Sequence, residues 1–273
     1  MVRRLIINAD DYGFCAEVNA AVEELVAAGR LRDVSVLANG RNLDSAIRFL
    51  RSNPAISAGA HLNAVEGCPV SNATEVEILT AKDGTFVRLR DLMVRWVKQP
   101  FAVSRAVELE WRAQLGLLCD AGIRLSHVDS HQHLHAFPLA WNLAVRLGHE
   151  FGIPSLRLPR EQNALPLRRG GAWALGTSLT ISQLMAGKSG LRHNDHFLGF
   201  KRAGAYGFDE LVSDLRNLPA GVMELALHPS IANENPYPNL FGNRERQALL
   251  NPALPGVLAE LEIELTTWSD LTK

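Results

Sequence analysis

Short apolar runs alternate along the chain with longer amphipathic segments. The pattern predicts strands over 4–9, 33–38, 56–62, 124–131 and 154–158, and helices over 17–28, 43–51, 103–120 and 138–151. After residue 160 the order is less regular, with a helix near 208–217, a strand over 222–228, and a last helix and strand ending near Trp268. Strand followed by helix, repeated, is typical of a parallel sheet covered by helices. We therefore expect an α/β fold.

Two long segments interrupt this alternation, at about 64–100 and 160–205. No linker or internal repeat separates them from the rest, so we expect one domain over 1–273 that carries two insertions. In compact domains, segments of this length are usually lids or binding loops. The apolar run 86–96 in the first insertion fits either a lid or an interface.

Residues 126–135 contain four of the nine histidines and one aspartate. If this segment is extended, alternation places one set of side chains on the same face: His127, Asp129, His131, His133 and His135. Imidazole and carboxylate are common ligands of zinc. Residues two apart on a strand are separated by roughly 6.5 Å, whereas ligand atoms lie about 2 Å from the ion. The segment can therefore supply one or two ligands, unless it is simply a polar edge strand.

Three other predicted strands also end in acidic or histidine residues: Asp10 and Asp11, His61, and His228. Because the carboxyl ends of parallel strands meet on one face, these side chains are candidates for a shared site. Adjacent carboxylates repel, so a cation or a shared proton has to stabilise the pair. One aspartate as metal ligand and the other as general base satisfies this need. A helix-capping aspartate and a structural His61 are the alternatives.

A second polar group lies in the later insertion. His193 and His196, three residues apart with Asp195 between them, could serve a metal, a substrate hydroxyl or a local turn. Their neighbours Phe197 and Phe200 offer apolar faces on which a sugar ring could stack. Arg157, near another strand end, could contact substrate hydroxyls or acetate, or lie on the surface.

The composition narrows the class of protein. The chain has 273 residues, a net charge of −1, 47% hydrophobic and 21% charged residues, as expected for a soluble globular domain without a nucleic-acid footprint. Its three cysteines form no CxxC pair, which fits a reducing cytoplasm. No apolar run approaches the ~20 residues of a membrane span. We expect a cytoplasmic protein, and leave a homodimer and transient membrane contact open.

Four separated motifs resemble, in this order, those of the YdjC-like carbohydrate deacetylases: residues 8–13 (NADDYG), 59–62 (GAHL), 127–135 (HVDSHQHLH) and 227–229 (LHP). The likeness runs over nearly the whole chain. Segments 157–161 (RLPRE) and 194–197 (NDHF) are similar to the branch associated with hopanoid biosynthesis.

This resemblance implies a distorted (β/α) barrel, similar to a TIM barrel, with its active site at the carboxyl ends of the strands. It implies one divalent ion, magnesium or zinc, and removal of acetyl groups from N-acetylated sugars, with an N-acetylglucosaminyl hopanoid glycolipid as the finer expectation. Carried over by position, the metal ligands are Asp11, His61 and His131. Asp10 would be the general base and His228 the general acid that protonates the departing amine.

The remaining candidates are expected to contact substrate or to orient the ligands: His127, Asp129, His133, Arg157, Asp195 and His196. His127 or Asp129 would hold His131 in place. Two other functions use the same residue types. A barrel phosphoesterase would bind two metal ions about 3.5–4 Å apart, and a non-catalytic sugar- or metal-binding protein would need no base.

Overall fold

The computed structural model describes residues 2–161, 184, 188–231 and 242–272. Within these residues the strands are β1 (Arg3–Tyr12), β2 (Asp33–Val36), β3 (Ser57–Leu62), β4 (Leu125–Ser130), β5 (His196–Leu198), β6 (Gly221–Leu227) and β7 (Ile263–Leu265). The helices are α1 (Ala16–Ala27), α2 (Leu43–Ser52), α3 (Leu89–Lys98), α4 (Pro100–Asp120), α5 (Pro138–Glu150), α6 (Phe208–Arg216), α7 (Gly242–Leu250) and α8 (Leu254–Glu260). Short 3₁₀ turns occupy Glu77–Leu79, His131–Ala136 and Asp270–Thr272.

The strands form one parallel sheet in the order β4-β3-β2-β1-β6-β5, and β7 pairs with β1. β1 is the central strand. One of its edges pairs with β6 from Arg3 to Ala9, while β7 covers Arg3 to Leu5 and β2 pairs from Asn8 onward. The predicted α/β fold with a parallel sheet is confirmed.

The two edges of the sheet approach each other through irregular segments. Val128 of β4 bridges to Leu156, and Ser155 bridges to Arg192, shortly before β5 begins. The sheet thus curls into a distorted (β/α) barrel. The prediction of a regular strand over 154–158 is wrong, since this segment forms only isolated bridges, and the prolines at 154 and 159 limit hydrogen bonding at its ends.

Alternation along each strand separates two environments. Outward residues of β1, such as Leu5 and Ile7, pack in the main core beneath the helices. Ile6 faces the other way and forms a small separate cluster with Val222 and Trp268. Above this apolar floor the barrel interior is polar, and it leads to the carboxyl ends of the strands.

Gly59 and His127 occupy facing positions inside the barrel. The His127 ring stacks on Trp268 at a centroid distance of 5.0 Å. A Cβ atom at position 59 would lie 2.3 Å from His127 Nε2, closer than any van der Waals contact. The glycine therefore makes room for a buried imidazole.

The first insertion contains α3, which packs against α4. The second insertion, expected over about 160–205, falls in large part on residues outside the described part of the chain. Among the described residues, no helix is both long and apolar enough to cross a membrane.

Gly59→Ala is expected to lower the free energy of unfolding by about 1–3 kcal/mol, because the new methyl group overpacks His127. Urea denaturation measures the change. Gly116→Ala is the matched control, since a Cβ there meets no atom within 4 Å. Equal stability of the two variants would contradict this packing.

Candidate active site

A bulge at the end of β1 directs two adjacent carboxylates into the same site. In a regular strand Asp10 and Asp11 would point to opposite faces. The register between β1 and β2 shifts between Ala9 and Tyr12, and Asp11 has a left-handed backbone with φ of 63°. Such irregularities re-aim side chains and concentrate at functional sites. Both aspartates are consequently buried among polar partners.

Asp11 meets two histidines from separate parts of the chain. Its Oδ1 lies 3.2 Å from His61 Nε2 and 2.9 Å from His131 Nδ1. His61 is near the end of β3, and His131 begins the turn that follows β4. One ligand atom from each of the three residues lies within 4.8 Å of the others. This group is called the Asp11 cluster below.

The chemistry of the Asp11 cluster fits a divalent cation. Asp11 Oδ2 is buried and has no hydrogen-bond partner within the described structure, so it retains the capacity to bind an ion. Although burial disfavours charge, Asp11 raises the pKa of His131 to about 9, and nearby carboxylates also raise the pKa of His61. The cluster is therefore stabilised by positive charge, which a cation bound to neutral imidazoles would supply.

His61 is held in orientation by Asp129. Its Nδ1 lies 2.7 Å from Asp129 Oδ1, which leaves Nε2 directed at Asp11. The two residues are direct partners in the register of β3 and β4. Asp129 Oδ2 also accepts a 2.7 Å hydrogen bond from Ser35. A carboxylate behind a ligating imidazole fixes its tautomer and increases its basicity.

Arg157 is a fully buried guanidinium surrounded by three carboxylates. It donates two hydrogen bonds to Asp10, of 2.7 and 2.8 Å, and further bonds to Glu224. Its Nη2 also lies 2.7 Å from Asp129 Oδ2. The alternative of a surface arginine is wrong, because the side chain is fully buried among carboxylates. The contact with substrate stays a prediction.

The carboxylates around Arg157 differ in the direction of their pKa shifts. Burial would raise the pKa of Asp10, but the charges of Arg157 and His61 hold it below its usual range. For Glu224, burial outweighs the attraction of Arg157 and raises the pKa to about 7. The charges of Arg157 and His61 lower the pKa of Asp129 as well, so Asp10 and Asp129 both stay ionised beside the Asp11 cluster.

His228 directly follows β6, the strand that pairs with β1. Ala9 pairs with Leu227, so the following residues, Asp10 and His228, are level at the end of the sheet. The backbone N–H of His228 donates to Glu245, whereas its Nδ1 is buried and has no partner within the described structure. An imidazole nitrogen thus remains available at the same edge as the Asp11 cluster.

The histidine-rich segment does not remain extended. β4 ends at Ser130, and Gln132 and His133 both have left-handed backbones, with φ of 51° and 53°. The expectation of a single histidine face through residue 135 is therefore wrong. His133 turns towards Phe197, at a centroid distance of 5.4 Å, and His135 is buried 2.6 Å from Ser130 Oγ.

His127 lies inside the barrel, where its ring nitrogens contact Ser35 and Ser126. Burial lowers its pKa to about 3, so this imidazole is neutral. Asp129 holds His61, whereas the ring nitrogens of His131 lie against Asp11 and Glu66. The expected orientation of His131 by one of these two residues is therefore corrected.

Asp195 and His196 lie near the amino ends of the strands. Asp195 accepts a hydrogen bond from the backbone of Val222, and His196 pairs with Met223. His196 also lines a cavity of about 250 Å³, none of whose lining residues belongs to the Asp11 cluster. His228 and Asp10 are at the other end of the sheet. The structure therefore does not bring Asp195 and His196 to the site.

Two residues of the site, Glu66 and Glu224, are not predicted from the sequence. Glu66, in the first insertion, places its carboxylate 3.2 Å from His131 Nε2. Only proximity to His61 along the chain hinted at this role. Glu224 interrupts an otherwise apolar strand, and a carboxylate in such a run is a sign of a buried ionic partner.

Comparisons with known proteins find relatives that match nearly the whole chain. The family model described as YdjC-like protein matches residues 4–260. A carbohydrate deacetylase of Brevibacillus brevis is 29% identical, covering 98% of this chain and 99% of the relative. A mouse protein of the same name is 28% identical, covering 98% and 94%. A crystal structure from Enterococcus faecalis, described as a candidate cellobiose-phosphate cleavage protein, superimposes with a TM-score of 0.80 at 23% identity over 99% of both chains. That structure supports the fold.

Arg157→Met is expected to lower the free energy of unfolding by about 3–5 kcal/mol, because it leaves buried carboxylates without their counter-ion. Urea denaturation at neutral pH measures the loss. Arg216→Met, at an exposed position of α6, is the control and should change stability by less than ~0.5 kcal/mol. A similar small effect of both substitutions would show that Arg157 does not compensate the network.

Proposed function

The chain belongs to the YdjC-like family, and from this premise we propose that it is a divalent-metal-dependent hydrolase that removes acetyl groups from N-acetylated sugars. The observation that carries the proposal is the Asp11 cluster, with an ionised Asp10 beside it at the carboxyl edge of the sheet. The deacetylase names of relatives aligned over nearly the whole chain support the reaction type.

Asp11, His61 and His131 would hold the ion. Their mixture of one carboxylate and two imidazoles suits zinc, while magnesium would depend more on oxygen ligands. When bound, the ion supplies Lewis acidity that polarises an acyl carbonyl and makes a water more acidic. Asp129 keeps His61 Nε2 directed at the site, and Glu66 contacts the far nitrogen of His131.

Asp10 is proposed as the general base. One of its oxygens lies within 4.8 Å of a ring nitrogen of His61, which places the carboxylate beside the Asp11 cluster. Its two hydrogen bonds to Arg157 fix the orientation of the carboxylate and keep it ionised. An ionised carboxylate in a fixed position can accept a proton from the water that attacks the acetyl carbon.

His228 is proposed as the general acid. Cleavage of the amide produces an amine that needs a proton to depart. His228 Nδ1 has no partner within the described residues, and the side chain follows β6 directly beside Asp10. The base and the acid thus stand on adjacent strands, and the products are acetate and an amino sugar.

The acetylated sugar would lie above this edge, near His133 and Phe200. Their rings are 5.8 Å apart and form an aromatic wall next to Phe197. Such faces favour stacking with the apolar side of a sugar. The similarity of segments 157–161 and 194–197 to the hopanoid-associated branch favours a hopanoid glycolipid bearing N-acetylglucosamine, acted on in the cytoplasm by a single domain with two insertions.

A phosphoesterase with two metal ions is the competing hydrolase. The other groups of possible ligands in the described structure contain Asp10, Asp129 or Glu224. Arg157 already contacts these three carboxylates and would repel a second cation. The arrangement therefore favours one ion, and the presence of Asp10 as a base favours an enzyme over a binding protein.

Asp10→Asn and Asp11→Asn are expected to separate catalysis from metal binding. Asp10→Asn should retain about one ion per chain and lose at least ~100-fold in kcat, because a base is missing. Asp11→Asn should lose the metal as well as activity, since a ligand is missing.

The measurements are metal content after dialysis and acetate release from a panel of N-acetylated sugars, with folding checked by circular dichroism. Full activity of Asp10→Asn contradicts its role as base. Retention of the ion by Asp11→Asn contradicts the ligand assignment. Phosphate release together with two ions per chain would support the phosphoesterase instead.

A further inference from the structure

The corner between α3 and α4 exposes three large apolar side chains. Val94, Val97 and Phe101 are 47%, 81% and 91% exposed. Val94 and Val97 are three residues apart on one face of α3, and Phe101 lies at the start of α4, just past the corner at Gln99. Neighbouring exposed apolar residues of this kind usually mark an interaction surface. This corner is called the α3/α4 tip.

The exposed residues are not needed to hold the two helices together. Leu92, Trp96 and Val103 are buried on the inner side of the corner. The Trp96 indole N–H also donates a 2.9 Å hydrogen bond to Ser104. The α3/α4 tip is thus a well-packed helical corner with a second apolar face directed outward.

Basic residues surround this outward face. Segment 88–105 contains five lysines and arginines and one acidic residue, Asp91. Four of the basic side chains are exposed, and none of them forms an ion pair among the described residues: Arg88, Arg90, Lys98 and Arg105. The excess positive charge beside the exposed apolar side chains is therefore open to an external anionic partner.

The α3/α4 tip lies on the active-site side of the barrel. In α4, Gln114 accepts a hydrogen bond from the backbone of Asn63, just after β3 ends. Gln114 of α4 therefore lies beside the carboxyl edge of the sheet. Phe101 is 13 residues earlier in the same helix, which corresponds to roughly 20 Å along its axis. The tip therefore projects beyond the edge that carries the Asp11 cluster.

We propose that the α3/α4 tip docks on the surface of an anionic lipid bilayer. A helix surface with apolar residues at its centre and cations at its margin inserts its apolar side chains below the headgroups while the cations contact lipid phosphates. Self-association is the weaker alternative, because a symmetric dimer would place the same basic margin against itself. Docking through the tip turns the Asp11 cluster towards the membrane surface.

The test is flotation of the full-length protein with vesicles of phosphatidylcholine, with and without phosphatidylglycerol. The wild-type protein should float with the anionic vesicles only. Val97→Ser/Phe101→Ser should weaken this binding at least tenfold, on the order expected for two lost apolar anchors. Lys98→Glu/Arg105→Glu should weaken it by a similar factor, through lost attraction to the lipid charge.

Matched controls lie at the amino edge of the barrel. Val2→Ser/Leu265→Ser removes exposed apolar side chains, and Arg192→Glu/Arg216→Glu reverses exposed charges. Both should bind like wild type. Absence of wild-type binding, equal binding to neutral vesicles, or unchanged binding of the tip variants overturns the proposal. A dimer that Val97→Ser/Phe101→Ser dissociates, without vesicle binding, would assign the tip to a second copy. Because binding is measured without substrate, its failure is separable from failure of the deacetylase assay.

Discussion

The buried Arg157 guanidinium is the constraint on which the candidate site depends. It lies among Asp10, Asp129 and Glu224 in the barrel interior, where unpaired charges are strongly unfavourable. By engaging these three carboxylates it leaves Asp11 as the acidic residue that faces two histidines. In the proposed mechanism, this one fixed positive charge separates Asp10, the proposed base, from Asp11, the proposed metal ligand.

Two backbone features complete this division of roles. The left-handed residue at Asp11 turns its side chain inward although Asp10 already points inward. The left-handed pair Gln132 and His133 turns the chain just after His131, past the end of β4 at Ser130. Without the first, adjacent aspartates would lie on opposite faces. The site therefore depends on local departures from regular strand geometry as much as on the parallel sheet that gathers the strand ends.

The sequence predicts which strand ends meet at the site, but it predicts few of the side-chain contacts between them. Apolar runs ending in Asp or His identify the strand ends that meet, because parallel topology brings such ends together. Strict alternation fails at residues 131–135, where the backbone turns. Pairing between Arg157 and Glu224, 67 positions apart, is not encoded in any local period. Glu66 reaches His131 from an insertion, where sequence patterns carry little structural information.

The most direct test of the account is anomalous diffraction from crystals grown with zinc. The account predicts one peak per chain, about 2 Å from an oxygen of Asp11 and from a ring nitrogen of each of His61 and His131, with Arg157 still bound to Asp10. A second peak among Asp10, Asp129 and Glu224, or a single peak placed there instead of at Asp11, would contradict it.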